Sequence, residues 1–545
     1  MFSLQKKWLI IGLITVSFCL RFYQLANLPK AFSADEAALG YNAWSLLTTG
    51  KDEWGQTLPL IIRSFDDYKP AGYSYLATPW VAIFGLNVFS ARATAALFGS
   101  LLPLIMLGLI LKLTKNFPLA FITGLVIATS PWHIEVSRTA IEAGVALTVS
   151  MLSLYFLSYS SKKHHWIGLS LLIFSLFIYH TARLVAPFIV CLGLLTKTYK
   201  KSKLINLLIS VIFIFGIFLS LTASQVRFKQ ISIFNDLGSN LIRQEAITED
   251  GQFGFKPLWL TRVFHNKPLS WLNSFASSYL ANTSLSYLFF GGAQPPRVTI
   301  PETGQFQILL LPFFIFGLIS SIRKWTNFDK WLLLWLAVAP IPASLTSANN
   351  PHTYRTLFML PAIAVFIAYG LIAVYDLLSQ KDKKLVGLFV LGTVILLTAN
   401  TAKTWHQYQV HQQIHQPWYR EYGYKDLIDY LNSVKDKGKI TLTNRGREPY
   451  IFLLFYNQIL PCDFQTWPQK RLSHQAIDSG LTTWELFNYQ FSEDPCPYNQ
   501  TDTNSNNLYV VMSSCKLPAG FDRLKTINFM DGNPVFHIDS PKKQN

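Results

Sequence analysis

Apolar runs broken at intervals by short basic clusters recur along the chain between its N-terminus and residue 402. A helix needs roughly 20 residues to cross a bilayer. Run length and periodicity predict membrane spans near 8–27, 91–111, 117–131, 140–160, 166–181, 184–196, 204–222, 306–322, 331–347, 356–378 and 385–402. The first is expected to stay in place, since it lacks a small-residue cleavage site and further spans follow it. Residues 73–88 are also apolar, but they are too short to span and carry Pro79. Tyr73, Tyr75 and Trp80 suit a helix lying in the membrane interface.

This pattern divides the chain. Residues 1–222 hold the first seven spans and a large first outer loop, 28–90. Residues 223–305 form a long extracytoplasmic loop poor in apolar runs, with turn signals at Gly291-Gly292 and Pro295-Pro296. Residues 306–402 add the remaining spans. Residues 403–545 read as an extracytoplasmic α/β domain, with helices at 419–437 and 448–458 and strands at 439–443, 507–513 and 533–538. The expected fold class is mainly α, a polytopic membrane protein of about eleven transmembrane helices with a small C-terminal extracytoplasmic α/β domain.

Charge sets the orientation. Lys6 and Lys7, Lys112 and Lys115, Lys162 and Lys163, Lys197 to Lys203, Arg323 to Lys330, and Lys381 to Lys384 occupy every second loop. Basic loops stay cytoplasmic. The N-terminus is therefore expected inside a cell (plasma or inner) membrane, and the C-terminal domain outside. The formal charge of +17 sits largely in these loops, where it meets anionic lipid headgroups. No stretch resembles a nucleic-acid-binding module, so nucleic acid is not expected as a partner. Of five cysteines, Cys19 and Cys191 fall in spans. Cys462, Cys496 and Cys515 lie in the tail, where a disulfide is permitted, but the sequence does not choose the pair.

The outer face carries the candidate chemistry. Phe32-Ser33-Ala34-Asp35-Glu36-Ala37 follows the first span. Ser33-x-x-Glu36 matches a capping box, which predicts a helix from Ala34 to about Leu47 ending near Gly50. Glu36 either caps this helix or joins Asp35 in the chemistry. Asp35 either simply favours the positive end of the helix or stays available as a base toward a hydroxyl or amine. Tyr68-Lys69-Pro70 offers a cation at headgroup depth, unless Lys69 simply pairs with Asp66 or Asp67. His133 and Arg138 lie at the next outer turn, with Arg138 opening a span and Glu142 placed to pair with it at i+4. His180 and Arg183 form a third turn, and His352 and Arg355 a fourth. Several cations facing the same side as Asp35 suggest an anion site, and arginine suits phosphate. Arg21 and Arg92, near span ends, read as snorkelling residues. Asp35 and Glu36 alone make an incomplete cation site, so a divalent metal is not expected to be obligatory.

Taken together these residues resemble the GT-C membrane glycosyltransferases, particularly protein O-mannosyltransferases and lipid A aminoarabinose transferases (glycosyltransferase family 39-like). The motifs are the Asp35-Glu36 pair, Lys69-Pro70-Ala71-Gly72-Tyr73, Pro131-Trp132-His133 with Ser137-Arg138, and Pro351-His352 with Arg355. They cover mainly 8–200 and, more loosely, 300–402. Ala71 departs from the pattern, since relatives often carry a second proline there. The tail beyond 403 shows no match of this kind. The resemblance implies that Asp35 is catalytic and that Lys69 binds the phosphate of a polyprenyl-phosphate sugar donor; the reaction expected from these residues is an inverting transfer to an extracytoplasmic protein, lipid or glycan. Some relatives use a divalent metal. A lipid-linked-sugar flippase or transporter, a non-catalytic scaffold and a surface-glycan ligase or polymerase are the alternatives. Against transport, the sequence shows no inverted repeat, and its charges gather at outer span ends rather than mid-span.

Overall fold

The computed structural model describes residues 4–543 apart from 66, 200–201, 223–230, 256, 294–295, 297–298, 348, 416, 436, 445–447 and 468–482. The chain is mostly helical, with its β structure concentrated toward the C-terminus. Among the described residues, four helices are long and apolar enough to cross a membrane: Val88–Thr114, Lys203–Thr222, Leu357–Ser379 and Lys383–Ile414. Phe117–Thr129 and Pro131–Arg138, bent by 58°, make a fifth if taken as one span. Shorter helices stand at the other predicted spans, such as Leu4–Phe22 (α1) and Lys162–Leu176. The run at 331–347 does not form one helix. It divides into Asn327–Val338 and Ile341–Ser344, because Pro340 and Pro342 remove two backbone donors. Gly72–Phe84 is helical over 13 residues, which fits the short element expected there.

The topological division follows membrane sides, whereas packing groups the chain differently. One compact unit comprises Met1–Tyr23, Tyr68–Gly72 and Ala95–Gln407; the other comprises Gln24–Asp67, Tyr73–Thr94 and Tyr408–Asn545.

In the first unit, helices approach closely through small residues, the usual device of membrane bundles. A Cβ on Gly317 would strike the Phe366 carbonyl, and one on Gly370 would strike the Phe313 carbonyl. Trp331 and Trp335 are buried, and their indole N–H groups donate to Ile189 O (3.0 Å) and Phe358 O (2.8 Å). Among its described residues, the 223–305 loop contains three α-helices, Leu237–Gln252, Leu258–Phe264 and Lys267–Thr283. Asp236 and Asn266 cap the first and third by accepting from Ser239 and Leu269 N–H. Where the helical turn Ser286–Phe290 ends, Gly291 and Gly292 take φ of 132° and 92°, values open to glycine. Pro295 lies outside the described residues.

The second unit holds a six-stranded sheet, its strands numbered after the short strands β1 (Ile61–Ser64) and β2 (Asp67–Pro70). They are β3 (Ile440–Thr443), β4 (Thr483–Leu486), β5 (Tyr489–Ser492), β6 (Leu508–Met512), β7 (Phe521–Asn528) and β8 (Pro534–Pro541), in the order β4-β5-β3-β6-β8-β7. β3 runs parallel to β5 and β6, and the remaining pairs are antiparallel. Cys496 and Cys515 form the disulfide, while Cys462 is free and exposed. The core joins sheet residues such as Leu442 and Val510 to Phe452 and Phe455 of helix Pro449–Tyr456, and also to Phe32, Ala37, Ala38 and Tyr41 from the start of the chain. The helix bearing Asp35 thus shares a core with the C-terminal sheet.

Candidate active site

The acidic turn belongs to the second unit. Helix α2 runs Ala34–Thr49 and ends at Gly50, which adopts φ 68°. The capping box is complete: Ser33 Oγ accepts Glu36 N–H (3.3 Å) and Glu36 Oε2 accepts Ser33 N–H (3.1 Å). Glu36 does more than cap. Arg92 Nε donates to its Oε1 at 2.8 Å and Nη2 to its Oε2 at 3.3 Å, with both side chains buried. The remaining Arg92 donors reach Leu25 O (3.3 Å), Pro29 O (2.9 Å) and Ala31 O (2.7 Å). Arg92 is therefore no snorkelling residue. It is fully buried and ties the approach to α2 against the carboxylate inside it. Asp35, one position earlier, is half-buried in the first helical turn.

Beside this turn lies a cavity of about 380 Å³, lined among others by Lys30, Phe32, Glu421, Lys425 and Tyr456. Burial pushes the Tyr456 phenol above its ordinary range. Glu421, buried, accepts the Ala34 N–H at 2.7 Å.

The basic residues belong to the first unit. Lys69 is buried in a short strand, Asp67–Pro70, and Tyr68 is exposed. The alternative partner Asp66 lies outside the described residues, as does the side chain of Asp67. Immediately beyond, Gly72 N–H donates to Phe177 O at 2.8 Å. A Cβ on Gly72 would meet that oxygen at 2.5 Å, so only glycine allows the approach. This contact joins the Lys69 segment to the turn that leads to His180. There Arg183 is buried, with Nε on Leu176 O (3.0 Å) and Nη1 on Leu219 O (3.4 Å) and His180 Nδ1 (3.3 Å).

Arg138 does not open a span. It ends helix Pro131–Arg138, and the next helix starts at Glu142 after a break at 139–141. The two residues therefore stand on different helices rather than at i and i+4 of one. Arg138 donates to the carbonyls of Leu20 (3.0 Å), Arg21 (3.0 Å) and Tyr23 (2.7 Å), the orphan acceptors at the end of α1. Arg21 is likewise buried rather than snorkelling. Its Nη2 lies 2.7 Å from His133 Nδ1 and its Nη1 reaches Ala128 O. His133 is thereby fixed as an acceptor toward an arginine.

The fourth turn is built on the 223–305 loop. Asn282 Oδ1 accepts His352 N–H (3.1 Å), and Tyr287 and Thr356 hydroxyls meet at 2.7 Å. His352 Nδ1 accepts Tyr354 N–H (3.2 Å), which leaves the proton of a neutral ring on Nε2. Arg355 donates to Thr346 Oγ1 at 2.7 Å. Trp132 Nε1 donates to Thr353 O at 2.9 Å, so the second and fourth turns meet directly. An apolar cavity of about 770 Å³ runs along helix Phe117–Thr129, bounded also by Leu9, Leu371, Phe389 and Leu397. Among the described residues, no group of three or more His, Cys, Asp or Glu is arranged to hold a metal ion.

Sequence reasoning missed Arg92 and Glu421 as partners of the acidic turn. An arginine inside an apolar helix, as at Ser90-Ala91-Arg92, is itself a signal. Glu421 has no local signal, since its contact spans 387 positions.

No protein-family model matches this chain, and no curated protein matches it. Solved structures do match. ArnT from Cupriavidus metallidurans in the apo state aligns with a TM-score of 0.54 at 12% identity, over 98% of this chain and 98% of that one. The same protein bound to undecaprenyl phosphate gives 0.52 at 12%, over 98% and 97%. An Archaeoglobus fulgidus oligosaccharyltransferase tethered with an acceptor peptide gives 0.49 at 12%, over 82% and 62%. At such identities the likeness is one of fold. The chain has the GT-C fold, and the likeness to ArnT extends through the tail that the motifs left unmatched.

Proposed function

We propose that this protein is a membrane glycosyltransferase that moves a sugar from a polyprenyl-phosphate donor to an extracytoplasmic acceptor. The observation that carries the proposal is the acidic turn. A fully buried arginine holds Glu36 and three carbonyls around the start of α2, an arrangement whose effect is to fix Asp35. Fold alone does not assign chemistry, but two further observations support the donor. An ArnT structure with this fold is bound to undecaprenyl phosphate. The apolar cavity along helix Phe117–Thr129 suits a lipid chain.

Asp35 is the proposed base. It takes the proton of an acceptor hydroxyl or amine as that atom bonds to the anomeric carbon. The bond from that carbon to the phosphate oxygen breaks, its electrons leave on polyprenyl phosphate, and the configuration inverts. A phosphate leaving group needs positive charge more than a proton. Lys69 is proposed to contact it, with Tyr68 beside it. His352 and Arg355, and His180 and Arg183, add polarity and charge at their turns. Arg138, whose donors hold carbonyls at the end of α1, contributes through its field, with His133 and Glu142 as neighbours in sequence. Glu36 positions Asp35. The proposal places the site on the side opposite the basic loops, where the N-terminus is cytoplasmic and the C-terminal region is not. No obligatory cofactor is included.

The test uses purified protein in lipid nanodiscs with a labelled polyprenyl-phosphate sugar and a cell-envelope extract as acceptor source. Wild type should release polyprenyl phosphate and label the extract. Asp35→Asn should do neither while remaining monodisperse. Full transfer by Asp35→Asn would remove Asp35 from the mechanism. Movement of intact donor across proteoliposomes without release would favour a transporter.

A further inference from the structure

We infer that Glu421, from the C-terminal region, is a positioning residue for Asp35: its carboxylate completes the first turn of α2. The inference rests on the reading of Asp35 as the base. A helix start leaves its first N–H groups without intrahelical partners. Here Ser33 Oγ takes the N–H of Glu36, and the Ser33 carbonyl takes that of Ala37 at 2.9 Å. The Ala34 N–H, immediately before Asp35, goes to Glu421 Oε2 at 2.7 Å. A charged acceptor there gains from the helix dipole and makes a charge-assisted bond.

Three further observations indicate that Glu421 is held in place to do this. It is only 6% exposed. Its φ is 59°, a left-handed conformation in which a long side chain is uncommon and which persists where surroundings over-determine it. The segment after it is pinned as well: Gly423 has φ 106°, and a Cβ there would meet Val535 Cγ1 at 2.9 Å. Tyr424 stacks on Phe452 with centroids 4.2 Å apart. A second residue of the same region acts nearby, since Gln413 Oε1 accepts the Lys30 N–H at 2.7 Å. Two long-range acceptors thus bracket residues 30–34.

The experiment compares wild type, Glu421→Ala, Glu421→Gln and Glu421→Asn in nanodiscs. It measures amide hydrogen exchange over residues 32–38, and kcat and donor KM. Asparagine tolerates the left-handed backbone but is too short to reach Ala34, so that variant keeps the fold and loses the contact. Alanine and asparagine should raise exchange selectively in 32–38. They should lower kcat on the order of tenfold to a hundredfold, as misplaced catalytic groups do, with donor KM within about twofold. Glutamine, whose amide oxygen still accepts the N–H, should restore both. Wild-type exchange and kcat in Glu421→Asn would overturn the inference, as would exchange that rises evenly across the tail. Wild type without transfer would sink the enzyme reading itself, while the exchange measurement still decides the Glu421 contact.

Discussion

Replacing Arg92 with methionine removes a buried cation and keeps most of its volume. Glu36 then stays buried without its counter-charge, a loss of about 3–5 kcal/mol in comparable pairs. The carbonyls of Leu25, Pro29 and Ala31 also lose a donor, at roughly 1 kcal/mol or more apiece where water cannot reach. Partial relaxation offsets some of this, and about 5 kcal/mol is a fair expectation for the whole. For a unit of about 200 residues, each kcal/mol moves Tm by about 2–4 °C, so Arg92→Met should lower the melting of the second unit by about 10–20 °C. The assay is thermal unfolding in nanodiscs at one fixed scan rate, since such melts are commonly irreversible, read by limited proteolysis of the tail. Arg92→Met combined with Glu36→Gln should recover about half of the loss, because the amide still caps Ser33 and no buried charge is left unpaired. A single variant melting with wild type would refute the reasoning. So would a double variant no better than the single one.

Four other outcomes are expected. Non-reducing peptide mapping should find Cys496 joined to Cys515 and Cys462 open to maleimide; Cys496→Ser should cost about 3 kcal/mol, the usual value for closing a loop of this size. Gly317→Leu or Gly370→Leu should abolish a monodisperse elution profile, since each side chain would strike the facing helix backbone. Gly72→Ala should lower activity with little change in Tm, by forcing the Lys69 segment away from Phe177. The His537 imidazole is held below its ordinary 6.5 by burial and by Arg523. Its contribution is therefore full above about pH 6.5 and fades as pH falls toward the lower folded value, and His537→Asn should flatten the tail's melting profile in that window.

Much of the acidic turn could be read from the sequence because its signals are local. Ser33, Glu36 and Gly50 are spaced as caps demand, and the helix has the ends they predict. The span ends were harder. Arg21 and Arg92 look alike in sequence to snorkelling residues, yet both are buried because distant carbonyls and a histidine or carboxylate receive them. The break between Arg138 and Glu142 carries no glycine or proline; the carbonyls at the end of α1 hold Arg138 at a helix terminus instead. In the tail, β3, β6 and β8 were legible from buried apolar runs. β7 was not, since four successive residues from Asp522 to Lys525 are exposed. β4 and β5 were missed because their hairpin turns at Phe487-Asn488, where Phe487 takes the left-handed conformation (φ 54°) without glycine. Two helices of the 223–305 loop begin at the caps Asp236 and Asn266, but their apolar residues are largely exposed, so hydrophobic patterning gave little signal there.

The shared core of α2 and the C-terminal sheet makes the tail a poor module. Severing the chain after residue 407 would strip Phe32, Ala37 and Tyr41 of their apolar cover, and a tail expressed alone would present Phe452 and Phe455 to water. Neither half can be transplanted without the other, so the portion of such a protein most easily mistaken for an accessory appendage is a structural prerequisite for its acidic helix.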